Sequence, residues 1–247
     1  MSANVLRSGE IASASAARLC VADGRHPYEV EHSAAIEANW RVEKVRQPAL
    51  FDGQVVLFER LLLENGRLAG CGRLVRFATF LHWRASGRRH GAHHAYANAI
   101  PVTRDNRLIA VEMAAHTANP GRIYFPSGSF DRDDVHAGRI DVAGNMIREV
   151  REETGLAFAG LACERTYSVL PLASGTVIAK RVLLEMTGDE AQARIERFVA
   201  SQRQPEIARP VVIDGPLAAG APFADQMALL VDWHFANPVD TNRLERL

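Results

Sequence analysis

Residues 141–156, DVAGNMIREVREETGL, constrain this chain's fold more than any other stretch. Val142, Met146 and Val150 recur every fourth position with Ile147 beside them, so a helix over 142–153 presents one apolar face. Asp141 is a residue type that caps helix starts, and Gly155 stands where a left-handed helix stop is wanted. The same helix carries Glu149, Glu152 and Glu153, spaced three and four apart, so the three carboxylates share one sector. Like charges at that spacing cost a bare helix roughly 0.2–0.5 kcal/mol per pair. Two arrangements relieve this. One is a solvated face on which Arg148 and Arg151 pair with the glutamates. The other is a divalent cation, because Mg²⁺ takes oxygen ligands and commonly binds one or two carboxylates plus substrate phosphates.

Around this helix, strand-like and helix-like periods are mixed. Residues 33–45 read as a helix capped by Ser33 and ended by Pro48. Residues 54–83 alternate and are rich in Val, Leu and Phe, with the turn signal ENG at 64–66, which predicts a hairpin or small sheet. Residues 85–94 are polar and glycine-interrupted, hence a loop. Two apolar strands flank TRDN at 103–106, a short strand follows at 122–126, and 127–139 form a long polar loop. A strand is expected at 175–186, a helix at 188–203, a strand at 207–213 and a helix at 222–236. Hairpins outnumber parallel crossovers, so the expected class is α+β with a mixed sheet.

Composition excludes several functions. Lys plus Arg equals Asp plus Glu, 29 of each, so the basic surplus of a nucleic-acid binder is absent. Cys20, Cys71 and Cys163 lie far apart with no CxxC pair, which argues against a disulfide framework or a zinc site and favours buried reduced thiols. No apolar run reaches membrane-spanning length, so no membrane span is expected. The N-terminal residues lack a continuous apolar core and read as a frayed end or first element rather than a signal peptide. Cytoplasm is the expected location.

REVREETGL at 148–156 resembles the second half of the Nudix box, G-x5-E-x7-R-E-U-x-E-E-x-G-U with U aliphatic. Arg148, Glu149, Val150, Glu152, Glu153, Gly155 and Leu156 match every specified position, and YFPSG at 124–128 resembles the strand and loop that lead into the box. The first half departs. Gly128, the opening glycine, lies six residues too far from Arg148, the first glutamate position falls on Ile140, and the strict glycine position falls on Asp134. Asp131, Asp133 and Asp134 are candidate replacement carboxylates.

The resemblance implies a Nudix-type α/β/α sandwich over 95–247, with residues 1–94 as an N-terminal β-rich extension for substrate or dimer contacts. It implies Mg²⁺-dependent hydrolysis of a diphosphate bond in a nucleoside diphosphate linked to another moiety, with Mn²⁺ as the alternative ion. Glu149, Glu152, Glu153 and the Ser127 carbonyl would hold the metal; Glu149 could act as base, and Arg148 would hold the carboxylates in place. Glu206 and Glu190 are candidates for a distal acid or for plain surface glutamates. PALFDG at 48–53 and FATFLHWR at 77–84 are weakly similar to Nudix proteins that cleave UDP-sugars, so a nucleotide sugar is the expected small-molecule partner. Arg84, Arg88 and Arg89 can grip phosphates or form a solvated loop. Trp40, Trp83 and Tyr96 can stack on a base, although core packing is the commoner fate of tryptophan. A homodimer fits the same resemblance. The alternative function is a non-catalytic Nudix-fold module that binds nucleotides or regulates a partner, favoured by Ile140 and the enlarged loop.

Overall fold

The computed structural model describes residues 7–87, 91–217 and 220–247. In chain order the elements begin with β1 (Ala12–Ala14), β2 (Ala16–Val21), α1 (Pro27–Glu31), α2 (Ser33–Arg46), β3 (Gln54–Glu64), β4 (Arg67–Arg76) and α3 (Phe77–Ala85). Then come β5 (Ala95–Val102), β6 (Leu108–Met113), β7 (Ile123–Tyr124), β8 (Ser127–Ser129), β9 (Val135–His136), β10 (Arg139–Ile140) and α4 (Val142–Thr154). The chain finishes with β11 (Ala162–Glu164), β12 (Tyr167–Leu172), β13 (Gly175–Leu183), α5 (Gly188–Ser201), β14 (Ile207–Ile213), α6 (Asp225–Ala236) and β15 (Leu244–Arg246). This is an α+β fold with mixed sheets, as the patterning predicts. Among the described residues, no helix is long and apolar enough to cross a membrane.

The chain divides into two compact units. The first comprises 1–97, 129–142 and 167–178; the second comprises 98–128, 143–166 and 179–247.

The first unit contains a five-stranded sheet in the order β3-β4-β2-β10-β9. The ENG signal does make a hairpin: Asn65 and Gly66 both take positive φ, 49° and 67°, and β3 and β4 pair antiparallel on either side. β2 lies parallel to β4, in register from Ala16↔Arg67 to Val21↔Gly72. The N-terminal residues from Ala12 onward are therefore sheet rather than a frayed end, and β1 pairs with β12.

Three expectations in this unit are corrected. FATFLHW does not extend the hairpin but forms α3. Phe80 and Trp83 are three apart and both buried, and the Asp52 carboxylate accepts from the Ala78 amide at 2.9 Å to satisfy the helix start. Ser33 does not cap α2; His32 occupies the cap position and makes no side-chain capping hydrogen bond, because α1 runs directly into α2. The polar loop after Ser127 is not structureless, since β9 and β10 form a tight hairpin whose Arg139 joins the sheet opposite Cys20. Tyr28, Val55, Leu57, Val75, Phe80, Trp83 and Ala92 make the core of this unit.

The second unit carries residues 179–183 of β13, residues 98–102 of β5, β6 and β14, in the order β13-β5-β6-β14, with β7 also paired to β6. β6 and β14 run antiparallel from Leu108↔Ile213 to Met113↔Ile207. α4 buries Val142, Met146 and Val150, the face read from the sequence. α5 starts with a complete capping box, Thr187 to the Glu190 amide and the Glu190 carboxylate to the Thr187 amide. Glu190 is thereby used as a cap and not as a distal acid. The helix expected from Pro222 begins at Asp225, because the Pro222 carbonyl accepts from Ile123 and the chain is still extended there. His234 on α6 and the carbonyl of Asn237 just after it both contact the buried Arg181, which also pairs with Glu164 at 2.6 Å and lies 4.3 Å from the Trp233 ring centroid.

Trp83→Ala should remove about 3–5 kcal/mol from the first unit, the cost of deleting a fully packed aromatic. Urea unfolding followed by circular dichroism checks this. A loss under about 1 kcal/mol would mean that α3 does not pack on that core.

Candidate functional site

The carboxylate helix ends where the sequence places its stop. Gly155 takes φ 68°, its amide donates to the Arg151 carbonyl at 2.9 Å, and a Cβ there would fall 2.4 Å from the Phe198 ring. Both the left-handed turn and the ring of α5 demand glycine. Thr154 Oγ1 donates to the Val150 carbonyl at 2.5 Å and accepts from the Leu156 amide at 3.2 Å, which tightens the last turn.

The three glutamates then meet different surroundings. Glu152 is half exposed, its side chain 46% accessible. The Glu149 side chain is 13% accessible and Glu153 only 3%. A solvated charged face therefore describes one of the three and fails for two. Arg148 Nη1 lies 2.9 Å from Glu149 Oε1 and 3.3 Å from Glu152 Oε2, so one guanidinium bridges two carboxylates. The Glu153 carboxylate accepts from the Ser127 backbone amide, while its Oε2 is buried with no hydrogen-bond partner. Burial comes first, then the nearby charges of Glu149 and Glu206, in pushing the Glu153 carboxyl well above the usual carboxylate range; the Ser127 amide pulls the other way.

The strand and loop before the hairpin supply the opposite wall. A Cβ on Gly128 would fall 2.0 Å from Glu149 Oε1, so only glycine leaves room for that carboxylate. Tyr124 on β7 is buried, and its phenol is hydrogen-bonded to Asn119. Burial, then the charges of Glu153, Glu206 and Glu149, pushes the Tyr124 phenol well above its ordinary range, so it stays a hydrogen-bond donor. Glu206, read from sequence as one of two distal acids, is exposed just before β14 yet close enough to act on Glu153 and Tyr124. Tyr124 was not legible as a site residue, because a tyrosine between apolar neighbours reads as core. Asn98 on β5 is another missed group: it is fully buried, neither amide atom is hydrogen-bonded, and its neighbour Ala99 donates to the Pro126 carbonyl just ahead of Ser127.

The other candidates belong to the first unit or fall outside the described residues. Ile140 is buried at 6% exposure on β10, in the first unit, so an apolar role explains its place in the pattern. Asp134 accepts from the Asp131 amide and Asp131 from the Asp133 amide, which spends both carboxylates on loop geometry. Arg84 is on α3 with its guanidinium 5.6 Å from the Phe80 ring centroid; Arg88 and Arg89 lie outside the described residues. Trp83 packs in the core rather than on a base, and Tyr96 stacks on His94 at 5.4 Å.

The residues of the second unit suit a hard divalent cation in one respect and resist it in another. Clustered carboxylate oxygens, one of them buried and unbonded, are the donor set that Mg²⁺ and Mn²⁺ take. Yet among the described residues no group of three His, Cys, Asp or Glu is gathered round a common point. Glu149 and Glu152 are drawn to Arg148 instead.

No family model matches this chain, and no curated protein does. Solved structures similar to it are Nudix proteins. A Nudix hydrolase from Nitrosomonas europaea is 16% identical, over 63% of this chain and 97% of its own, with a TM-score of 0.38. The Nudix domain of Shewanella oneidensis NrtR, complexed with ADP ribose, is 14% identical over 63% and 96%, with a TM-score of 0.39. A bifunctional NMN adenylyltransferase/ADP ribose pyrophosphatase from Francisella tularensis, complexed with AMP and a Mn ion, is 15% identical over 58% and 41%, with a TM-score of 0.35. These likenesses are remote, and the functional reading rests on the side chains described above.

The raised Glu153 carboxyl fixes a sign for pH. As pH climbs through the ordinary glutamate value of about 4.3, the unfolded chain loses this proton before the folded chain does. The folded state then binds more protons, so Glu153 makes stability fall with rising pH until the folded carboxyl has ionised. Glu153→Gln removes that fall. Without divalent ions, the variant should melt above the parent at neutral pH and converge with it toward pH 4. Melting curves across that range check it; a variant less stable at neutral pH would contradict it.

Proposed function

We propose that this chain is a Nudix-type pyrophosphohydrolase that uses Mg²⁺ or Mn²⁺ to cleave the diphosphate of a nucleoside diphosphate linked to another moiety, with a nucleotide sugar as the substrate class. One observation carries the reading. Glu153 is a carboxylate removed from water, with a buried oxygen that no hydrogen bond reaches, beside Glu149 and Glu206 and on a helix that continues the match to the Nudix box. An isolated buried charge is expensive, and a bound cation is the compensation its neighbours are chemically suited to supply.

In this reading Glu149, Glu152, Glu153 and the Ser127 carbonyl would hold the ion, which when bound offsets the charge of the phosphates and of the attacking water. Glu149 takes the proton from that water; its carboxylate is mostly buried and packs against Gly128. Arg148 fixes the direction of Glu149 and Glu152 by holding both. The Tyr124 phenol, kept protonated by burial and the nearby acids, stands beside the same acidic wall with a hydrogen bond to Asn119. Positioning and charge supply most of the rate enhancement in phosphoryl transfer, so small displacements here are costly.

The second reading, a binding module without turnover, is favoured by the buried Ile140 in place of the first box glutamate and by carboxylates not gathered round one point. A panel of UDP-sugars, ADP-ribose, dinucleoside polyphosphates and nucleoside triphosphates, each with and without Mg²⁺, separates the two. Cation-dependent release of monophosphates from a nucleotide sugar is expected. Tight nucleotide binding with no turnover on any member would select the module.

Two substitutions test the assigned roles. Glu152→Gln should lower kcat at least about a hundredfold, the scale of losing one charge-stabilising group. Gly128→Ala should lower it comparably, because the added methyl displaces Glu149, while circular dichroism stays unchanged. Near-parental rates for both would overturn the assignment.

A further inference from the structure

Within the first unit's five-stranded sheet, one row of register partners runs Arg60 on β3, Cys71 on β4, Cys20 on β2 and Arg139 on β10. β2 and β4 are parallel neighbours, so Cys20 and Cys71 face each other across a strand spacing of about 4.8 Å and project from one side of the sheet. Their chain neighbours Leu19 and Gly72 are buried, whereas both cysteines are partly exposed and both arginines are exposed. The row therefore lies on the face that meets solvent. Its spacing falls inside the Cα separation of about 4.4–6.8 Å that a disulfide spans.

The thiols are near neighbours. Cys20 is within hydrogen-bonding reach of Cys71, and its Sγ donates to the Gly70 carbonyl at 3.4 Å. Burial first, then the neighbouring Cys71, pushes the Cys20 thiol up to about 11, against the pull of Arg139. Attack by Cys20 is accordingly slow near neutral pH and quickens as the solution becomes alkaline, since the thiolate is the attacking species. Cys163, in the second unit, is fully buried and offers an internal control.

We propose that Cys20 and Cys71 are a modification site, a cross-strand dithiol that closes reversibly to a disulfide on reaction with a small anionic disulfide drawn in by Arg60 and Arg139. The thiolate of one cysteine attacks a sulfur of the small disulfide, breaking its S–S bond and releasing one thiol. The second cysteine then attacks the protein-bound sulfur of the mixed disulfide and releases the other thiol. Two protons and two electrons leave the protein, and the small disulfide is reduced to two thiols. The new bond ties β2 to β4 and closes the chain between positions 20 and 71. The reaction stands independently of any hydrolase activity.

The reduced full chain, incubated with oxidised glutathione without oxygen, alkylated, digested without reduction and mapped by mass spectrometry, tests this. The expected product is a monomer with a Cys20–Cys71 linked peptide, undone by dithiothreitol, and with Cys163 alkylated only after unfolding. Closing that loop should raise the melting temperature by roughly 5–15 °C over the reduced protein. Cys71→Ser, whose reduced form should melt like the parent, should instead end as a glutathione adduct on Cys20. The proposal is overturned if the parent keeps both thiols free, stops at two glutathione adducts, or links only between chains; the parent's map decides even if the variant folds poorly.

Discussion

The burial of Glu149 and Glu153 against the Ser127–Gly128 backbone is the constraint on which the rest of the site depends. A helix can carry three carboxylates on one sector cheaply only if water reaches them. Here the helix is pressed against a strand end so closely that glycine alone fits opposite Glu149, and Glu153 is left 3% exposed. The apolar stripe of Val142, Met146 and Val150 holds the helix there, and the strain falls on the acids. Arg148 absorbs part of it, and the Ser127 amide absorbs another part. What remains is a buried carboxyl pushed away from its usual ionised form, with one oxygen left unbonded beside further acids.

Neighbouring groups extend that demand. Glu206 comes from the segment before β14, and Tyr124 from the strand that leads to Ser127. Together they turn one acidic helix into a wall built from several parts of the second unit, with a neutral phenol beside the acids. The first box glutamate position, filled by Ile140, belongs to a different setting. It closes a hairpin that extends the five-stranded sheet, so its side chain is selected for packing. The enlarged loop is best understood as that hairpin's insertion, with Asp131 and Asp134 bound to its own backbone amides.

The sequence made the box helix legible almost to the residue, because period, stop glycine and apolar stripe all agree there. The hairpin turn at Asn65–Gly66 was equally plain, since few residue pairs accept two positive φ values. α3 was not legible, because FATFLHW is apolar enough to pass for a strand and the bond that starts the helix comes from Asp52, far upstream. The strands β9 to β12 escaped for a related reason: they are two to six residues long, and pairing partners rather than local pattern define them. At the site, the glutamates could be named from spacing, but which of them is buried could not. That depends on Gly128 and Ser127, whose approach is a tertiary fact.

The parallel placement of β2 beside β4 and opposite β10 has a consequence for how the chain comes to be folded. β2 ends at Val21, yet one neighbour begins at Arg67 and the other at Arg139. Pairings so distant along the chain close slowly. On a ribosome adding about 5–20 residues per second, roughly 6–24 s separate the emergence of this strand from that of its last neighbour. For that interval the strand's hydrogen-bonding edge is open to other chains, and any assistance the nascent protein receives is most useful to β2.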